Sequence, residues 1–168
     1  MSSNFTVGKY VAPRWQEPFY FPMPLPAPPS LKFKLLHEFA EVPRQQKPGD
    51  AGYDLSCLDV CGVSPGESQL IATGVAVAIP EGFVGLLRSR SGVALKKGLE
   101  VHAGVIDSNY RGEIKVLMHN PTKKIQWFNA GDRIAQLLVI PIWQGKAEVV
   151  DELPETTRGQ QGFGSSGS

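Results

Sequence analysis

Cysteine is nearly absent from this chain of 168 residues: Cys57 and Cys61 are the only two. Two thiols with no histidine at metal-ligand spacing make neither a disulfide framework nor a zinc site, so both are expected to be reduced and packed rather than reactive. An excess of one charge is lacking too. Seventeen Lys and Arg against 16 Asp and Glu leave a formal charge of +1, so no global field draws in nucleic acid or anionic lipid, and neither is expected as a partner. Any chemistry on anions must be local. Long apolar runs are missing as well. The longest, Leu137 to Ile142, is too short to cross a bilayer, and residues 1–30 carry no apolar h-region of a signal peptide. A cytoplasmic protein is the expectation. Helical periodicity is equally scarce: only Ser91–Lys97 reads as a helix, under two turns long, with Gly98 placed as its stop.

What the chain does have is 42% hydrophobic residues, enough for one globular domain with an appendage. Seven of the 14 prolines lie between Pro13 and Pro29, where φ is repeatedly fixed and backbone donors are missing, so no regular element fits there. Residues 1–30 also hold Phe5, Tyr10, Trp15, Phe19, Tyr20 and Phe21. Such an aromatic load suits an arm that drapes over the domain or holds a protein partner, and proline-rich tails are also commonly disordered. From Leu31 the pattern changes, because Leu31, Phe33 and Leu35 alternate with Lys32 and Lys34 at the period of a half-buried strand. Further strands are expected at Tyr53–Leu58, Ser68–Thr73, Val75–Ile79, Gly82–Arg88, Glu113–His119, Ile125–Phe128 and Ile134–Ile142. Short strands at close spacing, broken by Gly, Pro, Asn and Asp, predict an all-β sandwich or jelly roll. The predicted organisation is an arm over residues 1–30, a β domain over 31–157 and a glycine-rich flexible flap over 158–168.

Five segments interrupt the strand pattern with glycine, charge and hydroxyl groups. Pro48 to Leu55 (PGDAGYDL) delivers Asp54 to a strand start through two turn glycines, and taken alone it is equally a turn with a surface carboxylate. Arg88 to Ala94 (RSRSGVA) sets two guanidiniums and two hydroxyls at a strand-to-helix junction, a phosphate cradle or a helix N-cap by Ser89 or Ser91. Gly104 to Glu113 (GVIDSNYRGE) reads as a hairpin offering the backbone of Val105 and Ile106 to a flat ligand edge, with Asp107 and Tyr110 at the rim, or as an ordinary turn. Gly131 to Leu138 (GDRIAQLL) sets the amide of Gln136 in an apolar run, where it needs partners if it points inward, or is simply a satisfied structural amide. Arg158 to Gly167 (RGQQGFGSSG) combines Arg158 and Phe163 with four glycines, which suits a flap over a phosphate and a base or a plain terminus.

Taken in this order, the five segments resemble the five motifs of the trimeric dUTPases, with the likeness running from Leu31 to the C-terminus. The resemblance implies a distorted jelly roll of the β-clip type, a homotrimer, and hydrolysis of dUTP to dUMP and pyrophosphate by water attack on the α-phosphorus with Mg²⁺ on the triphosphate. Such an activity keeps uracil out of DNA and supplies dUMP for thymidylate synthesis. It further implies that Asp107 orients and deprotonates the water and that Gln136 holds the α-phosphate and water. Asp54 would hold the hydrated metal through water; Arg90, Ser91 and Gly92 would contact phosphate. Arg158 would clamp the γ-phosphate. The backbone of Gly104, Val105 and Ile106 would read the uracil edge, Tyr110 would pack under deoxyribose, and Phe163, followed by Gly164 and Ser165, would cover the base. Sites of this family lie between subunits, with the first four motifs drawn from two chains and the flap from the third.

Departures from the family pattern are Ser89 before the Arg-Ser-Gly triplet, preceded by the extra cation of Arg88, and Gln161 and Ser166 in the fifth motif. The arm lies outside the pattern altogether. A dCTP deaminase shares the fold but normally has an Arg-Ser-Ser second motif and a different ending to the third, neither of which is present. A member used chiefly for binding or regulation would differ by what its arm contacts.

Overall fold

A computed structural model gives the fold over residues 30–157 and Gly159. It is almost entirely β: β1 (Lys32–Leu35), β2 (Tyr53–Ser56), β3 (Cys61–Val63), β4 (Ser68–Ala72), β5 (Val75–Ala78), β6 (Phe83–Ser89), α1 (Ser91–Lys97), β7 (Glu100–His102), β8 (Val105–Ile106), β9 (Lys115–His119), β10 (Gln126–Phe128) and β11 (Arg133–Pro141). The strands form four small sheets, β1-β5, β10-β3, β2-β11-β6-β8 and β4-β9-β7, every pairing antiparallel. Non-sequential neighbours in every sheet are the mark of jelly-roll winding, so the predicted all-β class holds. Among the described residues no helix is long and apolar enough to cross a membrane.

Most predicted strands form within two residues of their expected bounds. Strands β3 and β7 were not expected, since three residues are too few for an alternating pattern to show. The strand predicted from Glu113 begins only at Lys115, because the backbone of Ile114 is engaged elsewhere, its N–H donating to the Val75 carbonyl at 2.8 Å and its carbonyl accepting from Thr73 Oγ1 at 2.6 Å. The third segment also differs from the predicted hairpin: Val105 and Ile106 form β8 and pair with Leu86 and Gly85 of β6 rather than with their own chain continuation.

Side chains from β2 through β11 meet in one core that includes Leu55, Val63, Leu99, Ile114, Val116, Met118, Phe128, Ile134 and Leu137. Removing such side chains from water contributes about 1.5–3 kcal/mol each. Asn120 is the polar exception, wholly buried, and its amide is satisfied: Nδ2 donates to the carbonyls of Val63 and Lys124, and Oδ1 accepts from Thr122. That network ties the turn after β9 to β3, as a buried amide must be tied. Phe33 of β1 packs its ring on Tyr53, centroids 5.6 Å apart, and so anchors the first strand beside β2.

Both thiols are free, as expected from the sequence. Cys57 donates Sγ–H to the Asn129 carbonyl at 2.9 Å, and burial pushes its thiol up from 9.0 to about 11. Burial raises Cys61 as well. A thiol that resists ionisation in the fold, but not in the unfolded chain, contributes stability that is complete below pH 9.0 and is lost as the pH rises towards about 11. Native protein at about pH 8 should therefore leave Cys57 unlabelled by iodoacetamide while denatured protein reacts, because the thiolate is the reactive species. Mass-spectrometric labelling of Cys57 in the native chain would show that its burial does not protect it.

Candidate active site

Three of the five segments converge at one end of the β2-β11-β6-β8 sheet. In antiparallel register Gln136 of β11 stands opposite Asp54 on one side and Arg88 on the other, so the three side chains share the outer face of the sheet. The inner face at the same level carries Leu55 and Ala135, both wholly buried. This alternation is why an amide inside an apolar run points out of the core. Gly52 is required beside it: a Cβ there would stand 2.8 Å from Gln136 Oε1 and 3.1 Å from its Cβ. Gln136 Nε2 donates to the Ser89 carbonyl at 3.2 Å, which fixes the amide and leaves Oε1 facing the cleft.

Arg90 is the N-cap residue of α1, in an extended conformation, and no side chain caps this helix. Neither serine therefore plays the capping role that the sequence allowed. Ser89 is turned inward, its Oγ accepting the Val101 N–H at 2.9 Å, while Ser91 lines the cleft. A Cβ on Gly92 would meet nothing within 4 Å, so packing inside this chain does not demand that glycine, and the space beside it is open to a ligand. The helix is held by buried Val93, by Gly98 in the left-handed region at φ 67, and by Lys97, whose Nζ donates to the Trp127 carbonyl at 2.7 Å and lies over the Phe128 ring.

Asp54 is nearly enclosed, its side chain 12% exposed, and both carboxylate oxygens accept from guanidiniums: Oδ1 from Arg90 Nε at 2.7 Å and Oδ2 from Arg133 Nη1 at 3.3 Å. Arg133 had no assigned role in the sequence, because a position three residues before Gln136 is expected on the opposite face of a regular strand. Asp54, Arg90, Ser91, Arg133 and Gln136 line a polar cleft of about 470 Å³. With Lys47 and Asp50 also on its wall, three cationic side chains, a hydroxyl and amides outnumber two carboxylates, a donor-rich cleft suited to phosphate oxygens. Arg88 is exposed and lies on the same face outside that cleft.

The third segment builds a separate pocket of about 280 Å³ from Val105, Ile106, Asp107 and Tyr110, with Leu70 and Lys115 on its wall. Two successive residues with positive φ, Ala103 at 56 and Gly104 at 100, swing the chain into β8. Gly104 cannot be replaced without collision, since a Cβ would stand 3.0 Å from the Leu87 carbonyl oxygen. Tyr110 donates its hydroxyl to the Glu113 carbonyl at 2.9 Å and lies against Gly112, leaving its ring half exposed. Asp107 extends from a turn closed by the Tyr110 N–H on its own carbonyl at 3.1 Å.

The cleft and this pocket share no residue. Asp107 follows β8, level with Val84 of β6, whereas Gln136 pairs with Arg88 from the other side of β6. Two strand spacings across and four residues along put their backbones about 16 Å apart. Of the predicted site residues, Asp54, Arg90, Ser91 and Gln136 are therefore brought together, Gly104, Val105, Ile106, Asp107 and Tyr110 form a second group, and Arg158, Phe163, Gly164 and Ser165 lie outside the described residues.

The family model described as dUTPase matches residues 38–167. The deoxyuridine 5'-triphosphate nucleotidohydrolase of Cutibacterium acnes is 46% identical over 130 residues, 75% of this chain and 85% of that one. Among solved structures, the Staphylococcus bacteriophage 80alpha dUTPase with dUPNHPP superposes with a TM-score of 0.76 at 35% identity, covering 84% of this chain and all of that one. A mutant dUTPase from phage phi11 of S. aureus, described as revealing the coordination of a structural Mg(II) ion, gives a TM-score of 0.71 at 34% identity over 75% of this chain and 99% of its own. Agreement of motif order, strand winding and relatives over most of the chain leads to one assignment: the chain belongs to the dUTPase family.

Proposed function

We propose that this protein is a dUTP diphosphatase, hydrolysing dUTP to dUMP and pyrophosphate, which removes the precursor of uracil in DNA and supplies dUMP for thymidylate synthesis. The observation that carries the reading is the convergence of Asp54, Arg90, Ser91 and Gln136 in one cation-lined cleft, paired with a second pocket whose exposed Tyr110 ring and backbone edge suit a nucleoside. Arg90, Ser91 and Gly92 bind the phosphates, and Gln136 holds the α-phosphate and the attacking water. Asp107 takes the proton of that water as it attacks the α-phosphorus. Charge complements fixed before the reaction stabilise the negative charge as it moves to the leaving pyrophosphate. Gly104, Val105 and Ile106 read the uracil edge, while Tyr110 under the sugar leaves no room for a 2′-hydroxyl. A base with reversed donors and acceptors leaves buried groups unpaired, which costs about 1–3 kcal/mol each.

Separation of the two groups by about 16 Å within one chain supports sites shared between copies in a homotrimer, each cleft facing a neighbour's Asp107 pocket. The flap over residues 158–168, with Arg158 on the γ-phosphate and Phe163, Gly164 and Ser165 over the base, completes each site. The arm over residues 1–30 stands apart from this machinery as a candidate protein-binding segment, and residues 31–157 form the catalytic β domain. Among the described residues no three His, Cys, Asp or Glu side chains cluster to hold a metal ion. A cleft with only Asp50 and Asp54 as carboxylates fits Mg²⁺, which keeps its waters and is held by one or two carboxylates plus substrate phosphates. Asp54 would hold it through water, and the ion when bound would offset the charge of the triphosphate.

A panel of dUTP, dCTP, dTTP and UTP with Mg²⁺, assayed together for pyrophosphate and ammonia, tests the reading. Pyrophosphate from dUTP without ammonia, at a kcat/KM at least about 10²-fold above that for the other three, is expected. Ammonia from dCTP would assign a deaminase instead.

A further inference from the structure

We infer that Arg133 is a positioning residue for Arg90, acting through Asp54 and through its own main-chain carbonyl; this rests on the reading of the cleft as the phosphate site. Strand β11 does not run regularly into that cleft. Arg133 pairs with Ser56 and Ala135 with Leu55, so Ile134 is an extra residue in the ladder, and Ile134 and Ala135 are buried in succession. In an unbroken strand Arg133 would share the inward face of Ala135 and Leu137. The bulge turns it to the face of Gln136 and Asp54 instead, the re-aiming of a side chain for which bulges beside active sites are known.

The result is a closed ring of three contacts. Arg90 Nε donates to Asp54 Oδ1 at 2.7 Å, Arg90 Nη1 donates to the Arg133 carbonyl at 3.3 Å, and Arg133 Nη1 donates to Asp54 Oδ2 at 3.3 Å. A guanidinium tied at one nitrogen can swivel; one tied at Nε and Nη1 has its plane fixed, with Nη2 left for a ligand. The torsion of a carboxylate is broad, and Asp54 stays aligned because each oxygen has its own cationic donor. Removing the Arg133 charge frees Oδ2, so that Asp54 can turn and loosen the Nε tie of Arg90, while the main-chain tie at Nη1 remains.

A double-mutant cycle on the full chain tests this, with dUTP as substrate and thermal midpoints recorded for every protein. Arg133→Met should lower kcat/KM about 5- to 20-fold, with the loss falling in the same parameter, kcat or KM, that Arg90→Lys alters. In the Arg90→Lys background, where no Nε or Nη1 remains to be aligned, the same change should cost less than about 2-fold. Arg133→Lys, which returns a charge to Oδ2, should recover part of the loss. Equal losses in both backgrounds would overturn the inference and make Arg133 an independent contact to substrate, and an unchanged kcat/KM would overturn it outright. Should Arg133→Met not fold, Arg133→Gln serves in the same cycle. Failure of the wild-type chain to hydrolyse dUTP would refute the functional reading itself, whereas an additive cycle in an active enzyme refutes the positioning role alone.

Discussion

Asp107→Asn should lose about 10²–10⁴-fold in turnover while still binding nucleotide and melting at an unchanged temperature. The amide keeps the size and shape of the carboxylate but cannot accept the water proton. Stability should be spared because none of the side-chain hydrogen bonds among the described residues uses the Asp107 carboxylate. Its turn is closed by the backbone, Tyr110 N–H to the Asp107 carbonyl, so the substitution leaves no buried group without its partner. The measurements are pyrophosphate release at saturating dUTP and a binding titration on the same preparation. Near-normal turnover would remove Asp107 from the role of base.

An equally large effect is expected from mixing two inactive proteins. Arg90→Met disables the phosphate cleft and Asp107→Asn removes the general base carried by the second pocket, and each alone should be close to inactive. If every site joins the cleft of one chain to the pocket of its neighbour, subunit exchange at equal amounts makes roughly one site in four wholly wild-type, by random assortment in a cyclic oligomer. Activity should therefore rise from a residual level to roughly a quarter of the wild-type value. Sites contained within single chains would give no rescue, however long the exchange. A native mass equal to one chain at micromolar concentration would also contradict the shared site. The separation of the two groups across β6 is the reason to expect rescue: side chains about 16 Å apart at the backbone cannot meet on one phosphorus atom.

Short-range features of the site were legible in the residues. The stop of α1 at Gly98 follows from the ease with which glycine enters the left-handed region, and the structure has it there at φ 67. Gln136 stood out as an amide in an apolar run, but which way it points was fixed only by the register of β11 against β2 and β6. Gly52 and Gly104 read as turn and hairpin residues; that a Cβ there would collide with Gln136 or Leu87 emerges only in the fold. The order of the five segments points to the family, since each segment is short, local and chemically distinctive.

Long-range features were not legible. Ser89 carries the same hydroxyl as Ser91, and only the packing of β6 beside β7 turns it inward to the Val101 N–H. Val105 and Ile106 read as one limb of a hairpin, yet they pair with β6, because a two-residue strand takes its partner from whichever edge the surrounding fold leaves open. Arg133 illustrates the division most sharply. Its position in the chain puts it on the core side of a regular strand, and one inserted residue in the ladder puts it in the cleft. The all-β class, the chemical inventory of the site and the family can be read from the residues, because strand period, turn chemistry and motif spacing are local properties of the chain. Tertiary structure alone decided which side chains share a face and which share a pocket, because strand register is set by hydrogen bonds between residues far apart in the chain, and a single-residue shift in that register exchanges core for surface.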